Sequence, residues 1–165
     1  MQNKILSHQQ IQHKVRRIAY QIYEANVDET EIVLAGIDGG GLSFAKKIQS
    51  VLQNITKANI LLCKVSMDKS NPLESGVKTS ITEEEYLNKS IVLIDDVLNS
   101  GTTLIYGVQH FLKTPLKQLK TAVLVNRNHK KYPVKADYKG ISLSTSLQEH
   151  VKVEFKAKND SVSLA

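Results

Sequence analysis

The sequence predicts an α/β protein with a central parallel sheet flanked by helices. Apolar runs rich in β-branched residues, the pattern of strands buried on both faces, alternate with segments of helical periodicity. No repeat or low-complexity linker interrupts this alternation. Such an order of elements forms a parallel sheet with helices on both faces and a functional site at the carboxyl ends of the strands.

The elements are predicted in the following order. The first helix spans residues 7–26, with Ser7 as its candidate N-cap. Its apolar face is formed by Ile11, Val15, Ile18 and Ile22. Strands are then predicted at 31–37, 60–66, 91–94 and 121–126, with helices at 42–52 and 102–111.

Length and composition limit the class of protein. A chain of 165 residues with 41% hydrophobic content has room for one core, so we expect a single domain over residues 1–165. No stretch approaches the roughly 20 apolar residues of a membrane span, and the N-terminus has no signal-peptide pattern, so no membrane association and a cytoplasmic location are expected.

The formal net charge of +6 suits both anionic small molecules and RNA. Cys63 is predicted to be a strand residue rather than a nucleophile.

The most informative segment is 91–103, where an apolar strand is followed by Asp95 and Asp96 and then by a turn of small residues. Adjacent carboxylates repel each other, so they are best tolerated at a wet strand end that faces hydroxyl groups or a divalent cation. The start of the next helix offers free backbone amides that suit a phosphate group. The segment therefore predicts a site for a phosphorylated sugar. The alternative is an ordinary strand-to-helix turn with Ser and Thr as caps.

A second glycine-rich turn follows the first strand, at Asp38, Gly39, Gly40 and Gly41. Three consecutive glycines before a helix indicate either unusual backbone angles or the close approach of an anion to the amides. A tight turn without a ligand is the alternative.

The connection at 67–80 is polar and contains both Pro and Gly. A connection of this length in a compact domain is typical of a functional lid or of a mobile hairpin.

The segment 91–103 resembles the signature that binds 5-phosphoribosyl 1-diphosphate (PRPP) in type I phosphoribosyltransferases. The segments 122–140 and 144–146 are similar to the PyrR family, whose members regulate pyrimidine operons through RNA and also act as uracil phosphoribosyltransferases. The resemblance covers nearly the whole chain.

This resemblance implies the type I phosphoribosyltransferase fold, with a small hood to which 138–142 and 151–155 contribute strands and in which Asp137 and Tyr138 are structural. It implies an enzyme that transfers phosphoribosyl from PRPP to uracil, with Mg²⁺ carried by PRPP and no direct metal ligand. The catalytic acid pair and the phosphate loop would bind PRPP through Asp95, Asp96, Asn99, Ser100, Gly101, Thr102 and Thr103. The turn at 38–41 would be the pyrophosphate loop, 67–80 the lid, and Val125, Asn126 and Arg127 the base-binding residues. We also expect a homo-oligomer, namely a dimer.

Two departures from the family concern catalysis. PyrR proteins carry Thr-Arg-Gly in the pyrophosphate loop, whereas this chain has Asp38 and no basic residue there. The Tyr-Arg-Asp-Asp sequence before the lid is replaced by residues 63–66, in which Lys64 alone keeps a positive charge.

The alternative function is a nucleotide-sensing, RNA-binding attenuator with little enzymatic activity. The family's RNA contact would fall on Arg16, Arg17, Lys130 and Lys135. Tyr20 replaces a histidine and Ile141 a lysine, so this face is only partly kept. A solvated basic helix face would explain the same residues.

Overall fold

The computed structural model describes residues 3–165, which form nine strands and five helices. The strands are β1 (Asn3–Leu6), β2 (Glu31–Ile37), β3 (Asn59–Ser66), β4 (Lys78–Thr79), β5 (Ser90–Leu98), β6 (Gln118–Arg127), β7 (Tyr138–Leu143), β8 (Val151–Glu154) and β9 (Ser161–Leu164). The helices are α1 (His8–Ala25), α2 (Gly40–Leu52), α3 (Pro72–Ser75), α4 (Glu83–Tyr86) and α5 (Thr102–Phe111).

The main sheet has the strand order β4-β3-β2-β5-β6-β7. All neighbouring pairs are parallel except β3 and β4, which form a short antiparallel edge. Alternate residues of the central strands enter two cores. Leu34 and Ile94 pack with α1 and α2 on one face, and Leu93 packs with Phe111 of α5 on the other. The predicted parallel sheet flanked by helices is confirmed.

Helix α1 begins as predicted. Ser7 is its N-cap and forms a capping box with Gln10, whose side chain accepts a hydrogen bond from the Ser7 amide at 2.9 Å. The predicted apolar face is fully buried, namely Ile11, Val15, Ile18 and Ile22.

Strand β5 is longer than the predicted 91–94, because it continues through the acid pair to Leu98. Its pairing with β2 ends at Ile94, opposite Gly36, whereas its pairing with β6 continues to Leu98. On the side of β2, the acid pair therefore lies beyond the last paired residues, close to where the chain leaves β2 for α2. On the side of β6, the same stretch of β5 is still paired.

The small antiparallel sheet has the order β1-β9-β8. The predicted strand at 151–155 is confirmed as β8, which belongs to this sheet. The prediction that 138–142 joins a hood is wrong. These residues form β7, which pairs in parallel with β6 at the edge of the main sheet. Asp137 and Tyr138 consequently lie at the start of β7, where the Asp137 carboxylate accepts a hydrogen bond from the Thr121 amide at 2.9 Å.

The small sheet is attached to the helices through Asp160, which is fully buried. Its carboxylate pairs with Lys47 of α2 at 3.0 Å and accepts a hydrogen bond from Gln12 of α1 at 2.9 Å. Because β1 and β9 pair in this sheet, these contacts fix both strands against the helices on one face of the main sheet. Among residues 3–165, no helix combines the length and the apolar character needed to cross a bilayer.

Candidate functional site

The acid pair of β5 combines one buried and one half-buried carboxylate. Asp95 is 3% exposed; its Oδ1 accepts a hydrogen bond from the Asp96 amide at 2.9 Å, and its Oδ2 accepts one from Thr103 Oγ1 at 2.8 Å. Burial, followed by the charge and hydrogen bonding of Asp96, raises the pKa of Asp95 from 3.8 to about 7, while Thr103 and the charge of Lys69 oppose this effect. A neighbouring cation would therefore strongly favour the ionised pair.

The glycine-rich turn contacts this acid pair directly. A Cβ atom at Gly40 would overlap the Asp96 carboxylate. One at Gly41 would lie 2.7 Å from the Ile94 carbonyl oxygen and 3.1 Å from Asp95 Oδ1. Close packing of the start of α2 against β5 thus requires these glycines, whether or not an anion binds.

Asp38 changes the turn in two ways. Its exposed carboxylate adds a negative charge to a turn whose glycines pack against the acid pair. It also accepts a hydrogen bond from the Gly39 amide at 3.0 Å, so one of the amides that could bind an anion is already occupied.

The predicted phosphate loop and the acid pair line one cavity of about 210 Å³. Its lining consists of Lys69, Asp95, Asp96, Val97, Leu98, Asn99, Ser100, Gly101, Thr102 and Thr103. The structure thus brings together all seven residues that the sequence analysis predicts to bind PRPP.

The start of α5 faces this cavity with little internal capping. Gly101, the N-cap, has a φ of +87° and provides no side-chain hydrogen bond. A Cβ atom there would also lie 2.6 Å from a methyl group of Val134. Ser100 Oγ accepts a hydrogen bond from the first helical amide, that of Thr102, at 3.3 Å. The helix's own backbone bonds begin with the Ile105 amide, which donates to the Gly101 carbonyl oxygen, so the amides of Thr103 and Leu104 are donors of the kind that a phosphate needs.

Arg127 connects this loop to a second cavity. Only 5% of Arg127 is exposed, and its Nη1 donates to Asn99 Oδ1 at 3.3 Å. Its Nη2 donates to Thr145 Oγ1 at 2.8 Å and to the Glu149 carbonyl oxygen at 2.7 Å. The guanidinium therefore fixes the segment after β7 against the phosphate loop.

The second cavity, of about 330 Å³, lies at the carboxyl ends of β6 and β7. Two of the three predicted base-binding residues line it, Asn126 and Arg127, whereas Val125 is fully buried in the core. The side-chain oxygen of Asn126 is buried and has no hydrogen-bond partner within residues 3–165. An unpaired buried acceptor at a cavity is suited to a ligand N–H group.

Lys69 also lines the first cavity, although its place in the sequence predicts no role for it. It follows β3 in the connection predicted to be a lid. No motif or spacing singles it out among the chain's lysines, because its position depends on how this connection folds back over the sheet.

The four residues predicted to contact RNA do not form one cluster. Arg17 donates to the carbonyl oxygens of Lys139 and Gly140, at 3.0 and 2.8 Å, and so ties α1 to β7. Lys130 lines the second cavity at the carboxyl end of β7. Lys135 precedes the other end of that strand and lies 3.7 Å from Asp137. Arg16 stacks over the Tyr20 ring on the outer face of α1, 5.5 Å from its centroid.

Comparisons with known proteins agree with this geometry. The sequence profile of the phosphoribosyl transferase domain matches residues 1–158. The bifunctional protein PyrR of Clostridium acetobutylicum is 32% identical over 98% of this chain and 96% of its own length. The bifunctional protein PyrR of Streptococcus pneumoniae strain CGSP14 is 31% identical over 91% of this chain and 88% of its own length.

Solved structures show the same fold. The hypoxanthine phosphoribosyltransferase of Trypanosoma cruzi has a TM-score of 0.80 at 14% identity and covers 97% of this chain and 95% of its own. A hypoxanthine-guanine phosphoribosyltransferase of Bacillus anthracis has a TM-score of 0.72 at 24% identity, covering 86% and 82%. The fold is therefore that of the type I phosphoribosyltransferases.

The chain belongs to the phosphoribosyltransferase family, and within that family it is related to the bifunctional PyrR proteins over most of its length.

Proposed function

We propose that this protein transfers the phosphoribosyl group of PRPP to uracil, giving uridine monophosphate and pyrophosphate. The observation that carries this proposal is the single cavity in which the acid pair, the phosphate loop and the open start of α5 meet. In the proposed complex, Asp95 and Asp96 hold the ribose hydroxyls. The loop at 99–103 holds the 5-phosphate, and the turn at 38–41 faces the diphosphate.

The residues of the site fit the Mg²⁺ that would accompany PRPP. Magnesium is typically bound through one or two carboxylates together with substrate phosphates, and the acid pair offers hard oxygen atoms of this kind. When bound, the ion neutralises charge on the departing pyrophosphate. The half-buried Asp96 is the more accessible carboxylate, whereas Asp95 is oriented by its hydrogen bonds to Thr103 and to the Asp96 amide.

The proposed reaction needs no covalent nucleophile. Uracil N1 attacks the anomeric carbon and loses its proton, while the bond from that carbon to the pyrophosphate oxygen breaks. Positive charge develops on the ribose ring, next to the two carboxylates. Catalysis then consists of positioning by the loop and acid pair, electrostatic stabilisation, and exclusion of water by the connection at 67–80.

The acceptor base is proposed from two lines of support. The relatives at 31–32% identity are bifunctional PyrR proteins. The unpaired Asn126 oxygen and the Arg127 guanidinium border the second cavity, where donors and acceptors suit the edge of a base. Because the two solved structures compared above are a hypoxanthine-guanine and a hypoxanthine phosphoribosyltransferase, purine acceptors have to be part of the test.

The test is an assay of the pure protein with PRPP, Mg²⁺ and each of uracil, guanine, hypoxanthine and orotate. Nucleotide formation from uracil alone is expected, and it should disappear when Asp95 and Asp96 are both replaced by asparagine. Formation of a purine nucleotide instead would refute the uracil assignment, and no product from any base would refute the enzymatic proposal.

RNA binding is a second candidate function, and the exposed Arg16–Tyr20 stack favours it. Tyr20 is 38% exposed, and an aromatic ring with a stacked guanidinium suits an unpaired base. Arg17, by contrast, is already bound to β7. We expect weak binding to a pyrimidine-operon leader, with a strong dependence on salt. Nanomolar, leader-specific affinity at physiological salt in a filter-binding titration, increased by uridine monophosphate, would make regulation the primary function.

A homodimer is also proposed. The outer face of α5 carries an apolar cavity of about 470 Å³ lined in part by Tyr106, Leu112 and Tyr132, and Leu112 is 63% exposed. Apolar surface of this kind favours association. Sedimentation equilibrium of the wild type and of Leu112→Glu tests this, with a monomeric variant as the expected result.

A further inference from the structure

The glycine-rich turn lacks the positive charge that a diphosphate requires. Its own side chains contribute only the carboxylate of Asp38, and its neighbours across the turn are Asp95 and Asp96. The turn to which the proposed function assigns the most negative part of the substrate thus carries one carboxylate and packs against two more. A basic group from elsewhere in the chain would have to offset them.

Lys69 is a basic side chain that reaches this place. Its ammonium lies 3.8 Å from the point that a Cβ atom on Gly39 would occupy. It lines the same cavity as Asp95 and Asp96. It does so from outside the turn, on the connection between β3 and β5.

The fold of this connection positions the backbone of Lys69, whose side chain is exposed. The Asp68 carboxylate accepts hydrogen bonds from the amide and the hydroxyl of Ser70, at 2.9 and 2.6 Å. The Asp68 amide donates to Ser75 Oγ at 3.1 Å. These bonds close a compact turn around Lys69, so the lysine is presented by a small folded unit.

The same unit rests on α5. Pro72 and Leu73 of α3 border a cavity of about 140 Å³ together with Tyr106 and His110 of α5. Pro72 is buried, although Leu73 is 73% exposed. The position of Lys69 over the turn therefore depends on the seating of α3 against α5.

We propose that Lys69 supplies the cation for the pyrophosphate group of the substrate and so replaces the basic residue that the turn itself lacks. This inference rests on the proposed function. Its consequence is that binding of the diphosphate depends on the folded connection that carries Lys69, whereas binding of the ribose and its 5-phosphate does not.

The test compares three variants by calorimetry with Mg²⁺ present. Lys69→Gln removes the charge, and Lys69→Arg keeps it. Lys78→Gln is the matched control, because Lys78 is exposed on the same connection but does not line the cavity. The ligands are pyrophosphate, PRPP, and ribose 5-phosphate, which lacks the diphosphate.

Lys69→Gln should weaken the binding of pyrophosphate and PRPP about 10- to 100-fold, the range for loss of one charged hydrogen bond. It should leave the binding of ribose 5-phosphate unchanged, and both Lys69→Arg and Lys78→Gln should bind all three ligands nearly as the wild type does. Equal pyrophosphate affinity in Lys69→Gln and Lys78→Gln would overturn the inference. An equal loss for ribose 5-phosphate would overturn it too, since Lys69 would then act at the 5-phosphate.

PRPP binding separates this inference from the proposed function. PRPP affinity that is equal in the wild type and in Lys69→Gln would overturn the role of Lys69 while leaving the proposed function intact. Failure of the wild type to bind PRPP would refute the proposed function itself, and the role of Lys69 with it.

Discussion

Replacing Asp95 by asparagine should stabilise the ligand-free protein at alkaline pH. Burial and Asp96 raise the pKa of this carboxyl to about 7, from an unfolded value near 3.8. Because the folded pKa is the higher one, the stability contributed by the protonated form is fully present below about pH 4 and is lost as the pH rises through about 7. At pH 8.5 the folded protein therefore carries the full cost of an ionised Asp95.

The expected gain in the free energy of unfolding follows from the raised pKa of Asp95. About three pKa units at roughly 1.4 kcal/mol each give about 4 kcal/mol. Asparagine offers one acceptor oxygen in place of two, so either the Thr103 hydroxyl or the Asp96 amide has to find another partner, at a cost of about 1 kcal/mol. The expected gain at pH 8.5 is up to about 3 kcal/mol, or roughly 6 to 12 °C in Tm for a chain of this length.

The assay is thermal and urea unfolding at pH 4.0 and 8.5 in the presence of a chelator, which keeps divalent cations from the site. Asp28→Asn is the control, because Asp28 is an exposed carboxylate far from the acid pair in sequence. The gain should appear at pH 8.5 and vanish or reverse at pH 4.0. A variant that is no more stable than the wild type at pH 8.5, or equally stabilised at both pH values, would refute the account of Asp95.

Three further outcomes are expected. Replacing both Asp95 and Asp96 by asparagine should abolish PRPP binding in calorimetry while the circular dichroism spectrum stays native, and retained affinity would remove the acid pair from the site. Amides at 67–80 should exchange hydrogen faster in the free protein than with PRPP, although the connection has internal hydrogen bonds; equal protection in both states would exclude a lid. Asp38→Arg should strengthen pyrophosphate binding at low salt, since it reverses a charge and frees the Gly39 amide, and weaker binding would show that the turn serves another purpose.

Local patterns in the sequence were sufficient for the main sheet. The bounds of β2 agree with the prediction at both ends, because a continuous apolar run between polar turns defines a buried strand. An apolar pattern could not place β7 in the main sheet, because a short strand pattern predicts a strand but not the sheet that the strand joins. Strands β1 and β9 were missed because each has four residues and pairs with the opposite end of the chain.

In the candidate site, too, the sequence predicts local motifs but not contacts between distant segments. Adjacent residues such as Asp95 and Asp96 are visible as a motif, and the structure brings them to the phosphate loop that follows them. The links made by Arg127 and Lys69 join segments about 30 residues apart in the chain, which no spacing rule anticipates. The sequence indicated Arg127 only as a candidate near the base, whereas its buried guanidinium connects the phosphate loop to the segment that follows β7.

The charges around the glycine-rich turn explain why these long-range links matter. Asp38 and Asp96 surround a turn without a basic side chain, and Asp95 is held in a buried position where its ionised form is unfavourable. A diphosphate alone would add to this repulsion, whereas one that arrives with a divalent cation relieves it. The charge of Lys69 also lowers this repulsion, and its connection contacts α5 through α3. Affinity for PRPP would therefore depend more on the cation and on this connection than in a relative whose turn carries its own arginine.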